Sequence, residues 1–506
     1  MTSIIIKSFI TRGIEAVPVT ITTTISEGIG IHLVGSLQDI SVKEVLLRVC
    51  TALEAIGHHI PGKKIIIHIK TANGEMITSG ASGLDLPVAV SILAASGQAD
   101  LTQEQLDGYA LAGELGLDAS LREIKGEYAM CLAAEKIILP KENAARLQYK
   151  PGVQGEGKVF LASTLVEALG IPGGPERHDI GNLSLHRNDE TEENTGPLPD
   201  FKYITGPDNS RRALMIAAAG GHGIVLRGGE RTDYLIGCLH SIFPAMTAQE
   251  CTETELLHEA AWTHRPEPVR ARPVRTVCPG TTITGLLGGG HDIQPGEASL
   301  ANNGILVLKN LTDWPKVVFE ALRPVHAAGH VRISRLHKCI EYPARFIPIG
   351  TEKNCPCGLT HDKCTCTPDQ IIRFNRRIAE YASEIFDLSH TVGPFEISDR
   401  PVSVSSEEIR RRVEAARDFQ RKRYVAEGIR TNAELRGDLL QKYCPLPKDT
   451  EAELHGIVKE YGHDGRVFAE SLRRVSRTIA DLEGDTNIEA VHVQEALCFI
   501  TLPTRS

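Results

Sequence analysis

The chain has 506 residues, 42% of them apolar and 24% charged, and a formal net charge of -9. Such values belong to a globular protein of roughly three or four domains and exclude wholesale disorder. The mildly acidic balance also excludes a binder that holds nucleic acid by net charge alone, though a local basic face could still meet phosphates.

Along the chain, Ile4–Phe9, Val17–Ile25, Ile31–Val34 and Lys64–Ile69 are rich in β-branched residues and predict strands. Val42–Ile56 and Asp85–Ala95 carry apolar residues three and four apart and predict helices. The apolar run before Lys7 is too short for a signal peptide. Leu86–Ala95, the longest apolar stretch, falls well short of the roughly 20 residues that span a bilayer, so it predicts a buried helix and no membrane contact. This α+β unit runs to about Leu169. Residues 171–197 are polar, acidic and punctuated by Gly and Pro, the composition of a linker.

Beyond it, helix and strand alternate: Arg211–Ala219 helix, Gly223–Leu226 strand, Tyr234–Ile242 helix, Gly304–Leu308 strand, Val317–Leu322 helix and Ala344–Ile349 strand. That alternation predicts a mostly parallel sheet. From about Ser405 onward the pattern is nearly all helical. A basic stretch, Arg410–Arg423, interleaves with Ile409, Val413, Ala416 and Phe419, which predicts an amphipathic helix with a solvated charged face. Eight of the twelve cysteines are scattered singly, which predicts reduced thiols in a cytoplasm. The other four, Cys355, Cys357, Cys364 and Cys366, fall in one short loop. Four thiolates can enclose Zn²⁺ tetrahedrally, with His361 as a spare ligand. Structural zinc is the favoured reading, and free thiols or a redox pair are the alternatives.

Short motifs occur in a fixed order: Asp85-Leu-Pro, Gly113-Glu-Leu, Ala217-Ala-Ala-Gly-Gly-His222, Gly288-Gly-Gly, Pro295-Gly-Glu, Cys355-Pro-Cys-Gly358 and Arg474-Val-Ser-Arg-Thr-Ile-Ala-Asp-Leu482. Each is weak alone, but as a collinear series they resemble the ComM/YifB-type, magnesium-chelatase-like AAA+ family over almost the whole chain. The resemblance implies an α/β protein of three parts: a Lon-protease-like α+β domain (1–170), a P-loop AAA+ parallel-sheet domain with the cysteine loop (198–398), and a C-terminal helical lid (399–506). Residues 171–197 join the first two.

Compared with that family, the nucleotide site is degenerate. After Ile224-Val-Leu226, the loop contains Gly228, Gly229, Arg231 and Thr232, but no Gly-Lys-Thr, and it places Glu230 and Asp233 where triphosphate would sit. A working loop needs backbone N–H groups and a Lys on the phosphates and a hydroxyl on Mg²⁺. The second strand ends in Lys309-Asn310, where the family has Asp-Glu. Lys353 stands at the sensor Asn position, no Arg lies near Glu384–Asp387 where the arginine finger falls, and Arg466 takes the second sensor position. No catalytic residue is assigned, and ATP is not expected as a cofactor. In the Lon-like part, Leu84 and Tyr128 replace the catalytic Ser and Lys; Ser82 and Lys125 lie nearby, and no proteolysis is expected.

The hairpin that in family rings projects into the pore corresponds here to Gly329–Tyr342. Its Arg332, Arg335, His337 and Lys338 would face DNA phosphates, single- or double-stranded; ordinary solvated surface charge is the alternative. The resemblance implies an oligomeric ring and DNA remodelling of the branch-migration type, with this chain as a non-hydrolysing member. A structural subunit beside an active paralogue is the second reading, and an active ATPase with an unconventional loop the third.

Overall fold

The computed structural model describes residues 2–77, 80–147, 150, 153, 158–170, 181–182, 198–206, 208–228, 231–261, 269–335, 338–359, 363–382 and 384–500. Most of the expected linker, residues 171–180 and 183–197, lies outside them.

In the first unit the β-branched runs form β1 (Thr2–Arg12) and β2 (Glu15–Ser26), an antiparallel pair that turns at Gly13 with φ +61°. There follow β3 (Gly30–Gly35), α1 (Asp39–Ala55), β4 (Lys64–Thr71), α2 (Asp85–Ser96), β5 (Ala110–Leu111), α3 (Glu127–Ala133), β6 (Ile137–Pro140), β7 (Val159–Ala162) and β8 (Gly181–Asn182). They make one mixed sheet in the order β8-β7-β6-β5-β1-β2-β4-β3. α2 lies across β1 and β2, and every residue from Asp85 to Ala95 is buried, so the apolar stretch is the buried helix the sequence predicts. No helix among the described residues is long and apolar enough to cross a membrane.

The second unit opens with α4 (Asn209–Gly220), β9 (Ile224–Arg227), α5 (Thr232–Ser241) and α6 (Ala248–Ala260). It continues with β10 (Val274–Val277), β11 (Ile305–Leu308), α7 (Lys316–Ala328), the hairpin β12 (His330–Arg335) and β13 (Lys338–Pro343), β14 (Ile347–Glu352), α8 (Pro368–Ala382) and β15 (Leu388–Thr391). Five strands pair in parallel in the order β10-β11-β14-β9-β15. Ile224, Leu226, Ile305 and Val307 face one core, and Val225, Leu306 and Leu308 the other, as a strand's period of two requires. Both faces are covered, which is why these strands read as continuous apolar runs.

Two expectations need correction here. The strand foreseen at Ala344–Ile349 begins only at Ile347, because the preceding backbone is bonded elsewhere: Ala344 N–H donates to Gly329 O, and Arg345 N–H to the Asn302 side chain. The edge strand β10 was not foreseen; it is short and half-exposed, so its alternation carries little signal.

The last part is helical: α9 (Ser406–Arg423), capped where the Ser405 hydroxyl accepts from Glu408 N–H, then α10 (Gly437–Tyr443), α11 (Lys448–Glu483) and α12 (Ala490–Leu497). α11 breaks at Gly462 (φ +58°). Ile409, Val413 and Ala416 of α9 and Leu472, Val475 and Ile479 of α11 share one core with α4, α5 and a face of the parallel sheet. The charged face of α9 is only partly solvated. Arg417 donates to Ala218 O and Arg423 pairs with Asp481, whereas Phe419 is exposed.

The first and second units touch along α3, α6 and the β12–β13 hairpin. A Cβ on Gly13 would lie 2.7 Å from the Ile340 side chain, so the β1–β2 turn and the hairpin are closely packed. Tyr128 N–H donates to Glu259, and Lys150 lies 3.8 and 3.9 Å from Glu255 and Glu259.

Candidate functional site: a degenerate phosphate loop, a cysteine cluster and a bolted lid

In an open parallel sheet the ligand crevice lies at the carboxyl ends of the strands, here at Arg227, Leu308 and Glu352. Gly228 takes the left-handed conformation, φ +71°, after β9, and a Cβ there would collide with the Asn354 amide. Its N–H donates to Glu352 O at 2.7 Å. Gly229 and Glu230 lie outside the described residues. Thr232 at the start of α5 donates its hydroxyl to Gly228 O at 3.1 Å, and Arg231 donates to Phe395 O at 3.4 Å. Arg227 turns away from the loop to Asn375 at 2.7 Å, and burial lowers its pKa.

Across the crevice, the Lys309 ammonium pairs with Asp233 on the first turn of α5, while its carbonyl accepts from the Trp314 indole at 2.7 Å. The carboxylate at the start of α5 is thus joined to a cation at the end of β11. Asn310, at φ +50°, donates its N–H to Thr351. Glu352, at the end of β14, is buried, accepting from Thr312 N–H at 2.6 Å and Lys353 N–H at 2.8 Å. Lys353 lays its stem along Gly358, and Asn354, not Lys353, presents a polar side chain to the loop. Sequence reading missed Glu352 and Asn354. The amide just before Cys355 was the available signal, displaced by one residue.

Arg466 is exposed, on the side of α11 turned away from the buried Phe468 and Leu472. The lid side chains brought to the core are others. Asp387 accepts from His222 at 2.8 Å, Arg474 at 2.7 Å and Ser471 at 2.7 Å. His222 Nε2 shares a 2.7 Å hydrogen bond with Thr478, to which Asn432 also donates. Asn432 reaches Asp481, which Arg423 and Arg477 both pair with. The Arg474 and His222 partners hold the Asp387 carboxyl well below the usual carboxylate range against the opposing effect of burial, and burial lowers His222. Asp387 thus ties His222 to the lid residues Ser471 and Arg474.

Cys355, Cys357, Cys364 and Cys366 converge after β14. Their sulfurs all lie within 4.8 Å of one another, with separations of 3.3 Å (355 to 357), 3.5 Å (355 to 364) and 3.8 Å (357 to 364). A tetrahedron of Zn–S bonds of about 2.3 Å sets its sulfurs about 3.8 Å apart, so the donor set fits a divalent metal. Burial pushes the Cys355 thiol up to about 12, and hydrogen bonding from the Leu359 and Thr365 backbone brings Cys357 down to about 6. His361 lies outside the described residues.

On the hairpin, Arg332 is exposed, sits opposite Glu341 in the register at 3.5 Å, and donates to the Cys339 sulfur at 3.1 Å. Arg335 donates to Gly290 O at 2.6 Å. Lys338 closes the turn opposite Arg335, and His337 lies outside the described residues. In the first unit Leu84 and Tyr128 are fully buried, while Ser82 and Lys125 line one cavity of about 480 Å³ between the units.

A five-stranded parallel sheet in this order, a glycine loop after its first strand and a helical lid define a P-loop ATPase-type protein of the AAA+ class. Family models agree with this: "Magnesium chelatase, subunit ChlI" matches residues 200–399, its C-terminal model 403–499, and "Subunit ChlI of Mg-chelatase" 21–143. The chain is 33% identical to the uncharacterised YifB protein of Salmonella typhimurium over 96% of this chain and 95% of that one. It is 31% identical to Escherichia coli YifB over 96% and 95%. To the competence protein ComM of Haemophilus influenzae it is 31% identical over 98% and 97%. The chain belongs to the ComM/YifB-type magnesium-chelatase-like family.

Proposed function

We propose that this chain is a non-hydrolysing member of its family, acting in the cytoplasm in DNA remodelling of the kind the resemblance to competence protein ComM suggests, within a ring of AAA+ subunits. The observation that carries the reading is the Lys309–Asp233 pair across the degenerate loop. Hydrolysis needs a cation on the phosphates and a carboxylate on the metal. Here the cation stands in the carboxylate's place and the carboxylate stands in the loop. In this reading residues 1–170 are a Lon-like unit without proteolysis, 198–398 the AAA+ core and 399–506 its lid, and the four cysteines hold one structural zinc.

Purified protein is expected to show no ATP hydrolysis, with or without DNA, while a Lys309→Asp/Asn310→Glu variant serves as the restored-carboxylate comparison. ATP hydrolysis above background would overturn the proposal, and calorimetric ATP binding tighter than about 10 μM, roughly -6.8 kcal/mol, would overturn the reading of a dead pocket. A second reading, a structural partner of an active paralogue, is favoured by the Asp387 network, since a lid fastened by buried charge suits a subunit that does not cycle. Capture of an intact AAA+ paralogue by the tagged chain supports it.

A further inference from the structure

A second cleft of about 230 Å³ lies between the lid and the sheet, lined by Gly221, Gly304 and Ile347. These residues precede or begin β9, β11 and β14, so the cleft sits at the amino ends of the strands, opposite the degenerate loop. Five arginines line it: Arg272 from the segment before β10, Arg345 before β14, Arg417 of α9, and Arg430 and Arg436 between α9 and α10.

Among the described residues only Arg272 is matched by a carboxylate, Glu250 at 3.1 Å. Arg345 has no side-chain hydrogen bond or ion pair among the described residues. Arg417 spends Nε and one terminal nitrogen on the Ala218 carbonyl, at 3.0 and 2.6 Å. Arg430 donates to the Asn303 side chain at 2.9 Å, and Arg436 to the Ala433 and Leu435 carbonyls. Every one of these acceptors is neutral. The remaining acid, Glu434, is exposed and takes hydrogen bonds from Thr431 and the Arg430 backbone.

Four guanidiniums without a carboxylate partner therefore converge on one recess. The shortage of negative charge registers in the neighbours. Desolvation, then the Arg272 cation, lower Arg417 to about 10. Burial, then Arg436, lower His326 to about 4. Placing like charges together in a part-desolvated cleft is unfavourable unless an anion joins them. One carboxylate satisfies one planar fork, whereas a tetrahedral phosphoryl group presents oxygens in several directions to several forks.

We propose that this cleft binds a phosphoryl-bearing anion, with Arg345, Arg417, Arg430 and Arg436 donating to its oxygens and thereby tying the lid to the sheet. The phosphoryl group could belong to a free phosphate compound or to a nucleic-acid backbone.

Inorganic pyrophosphate, titrated calorimetrically into the full chain at constant ionic strength, is the probe. Wild type is expected to bind with a Kd of about 1 mM or tighter and to melt at a higher temperature with pyrophosphate than with chloride. Arg345→Glu/Arg436→Glu, which changes two exposed side chains, is expected to weaken binding at least about tenfold. Lys70→Glu/Arg122→Glu, equal in charge but on the first unit, keeps it. Arg345→Ala alone, which removes no side-chain hydrogen bond among the described residues, is expected to weaken binding by a smaller factor and covers a double variant that misfolds. Displacement of bound pyrophosphate by a short oligothymidylate identifies the backbone as the source, and binding indifferent to it identifies a free compound. Absence of pyrophosphate binding, equal binding by the cleft variants, or equal loss in the charge control would each overturn the proposal.

Discussion

Replacing Asp387 with Ala tests the bolted lid most directly. The carboxylate is 11% exposed and Arg474 only 5%. Removing it leaves the buried Arg474 guanidinium with only the partly exposed Glu470, at 3.6 Å, as counter-charge and takes the acceptor from His222 and Ser471. Breaking a buried pair from one side costs about 3–5 kcal/mol. At about 2–4 °C per kcal/mol, the transition that includes the lid is expected to fall by about 6–20 °C. Because Asp387 is held far below its ordinary 3.8, its contribution is complete above that value and is lost only as pH falls toward the lowered one. The loss on mutation should therefore be the same at pH 6 and pH 8. A second variant, Asp387→Leu/Arg474→Met, removes the stranded charge and is expected to recover about 1–3 kcal/mol. Differential scanning calorimetry reads all three chains. A loss under about 1 kcal/mol in Asp387→Ala, or a double variant no better than the single, would refute the reasoning.

Three further outcomes are expected. Elemental analysis of protein purified without added metal should find about one zinc per chain, lost in Cys355→Ser/Cys357→Ser; no zinc in the native protein ends that assignment. DNA binding should be independent of sequence and fall steeply with salt. In Arg332→Ala/Arg335→Ala/Lys338→Ala its salt slope should be shallower by roughly 0.7–0.9 for each phosphate that is no longer neutralised, and an unchanged slope moves the DNA-binding surface elsewhere. Burial and the neighbouring Glu127 carboxylate raise Glu259 to about 8 from 4.5, so its contribution is fully present below about 4.5 and is lost as pH rises through about 8. Glu259→Gln should flatten the decline in melting temperature between those values, and an unaltered pH profile contradicts the buried-acid account.

Much of the fold is written locally. β-branched runs such as Lys64–Ile69 and the apolar strands Ile224–Leu226 and Ile305–Leu308 declare themselves because their burial pattern has the period of the backbone that carries it. Lys309 and Asn310 are equally plain, since a strand end without a carboxylate needs no coordinates to be noticed. The cysteine cluster was legible for the same reason: its four thiols span one short loop.

What the sequence could not decide depends on residues far apart in the chain meeting in space. Asn354 and Glu352 reach the loop only because β14 pairs beside β9, more than a hundred residues away. Lys309 finds Asp233, 76 residues back, through the same sheet order. Asp387, His222 and Arg474 show no common pattern in sequence, and the cleft arginines come from four separate segments. Periodicity reports which face of an element is buried. The charge that lies opposite that face is set by strand order and helix packing, and there the tertiary structure alone decided.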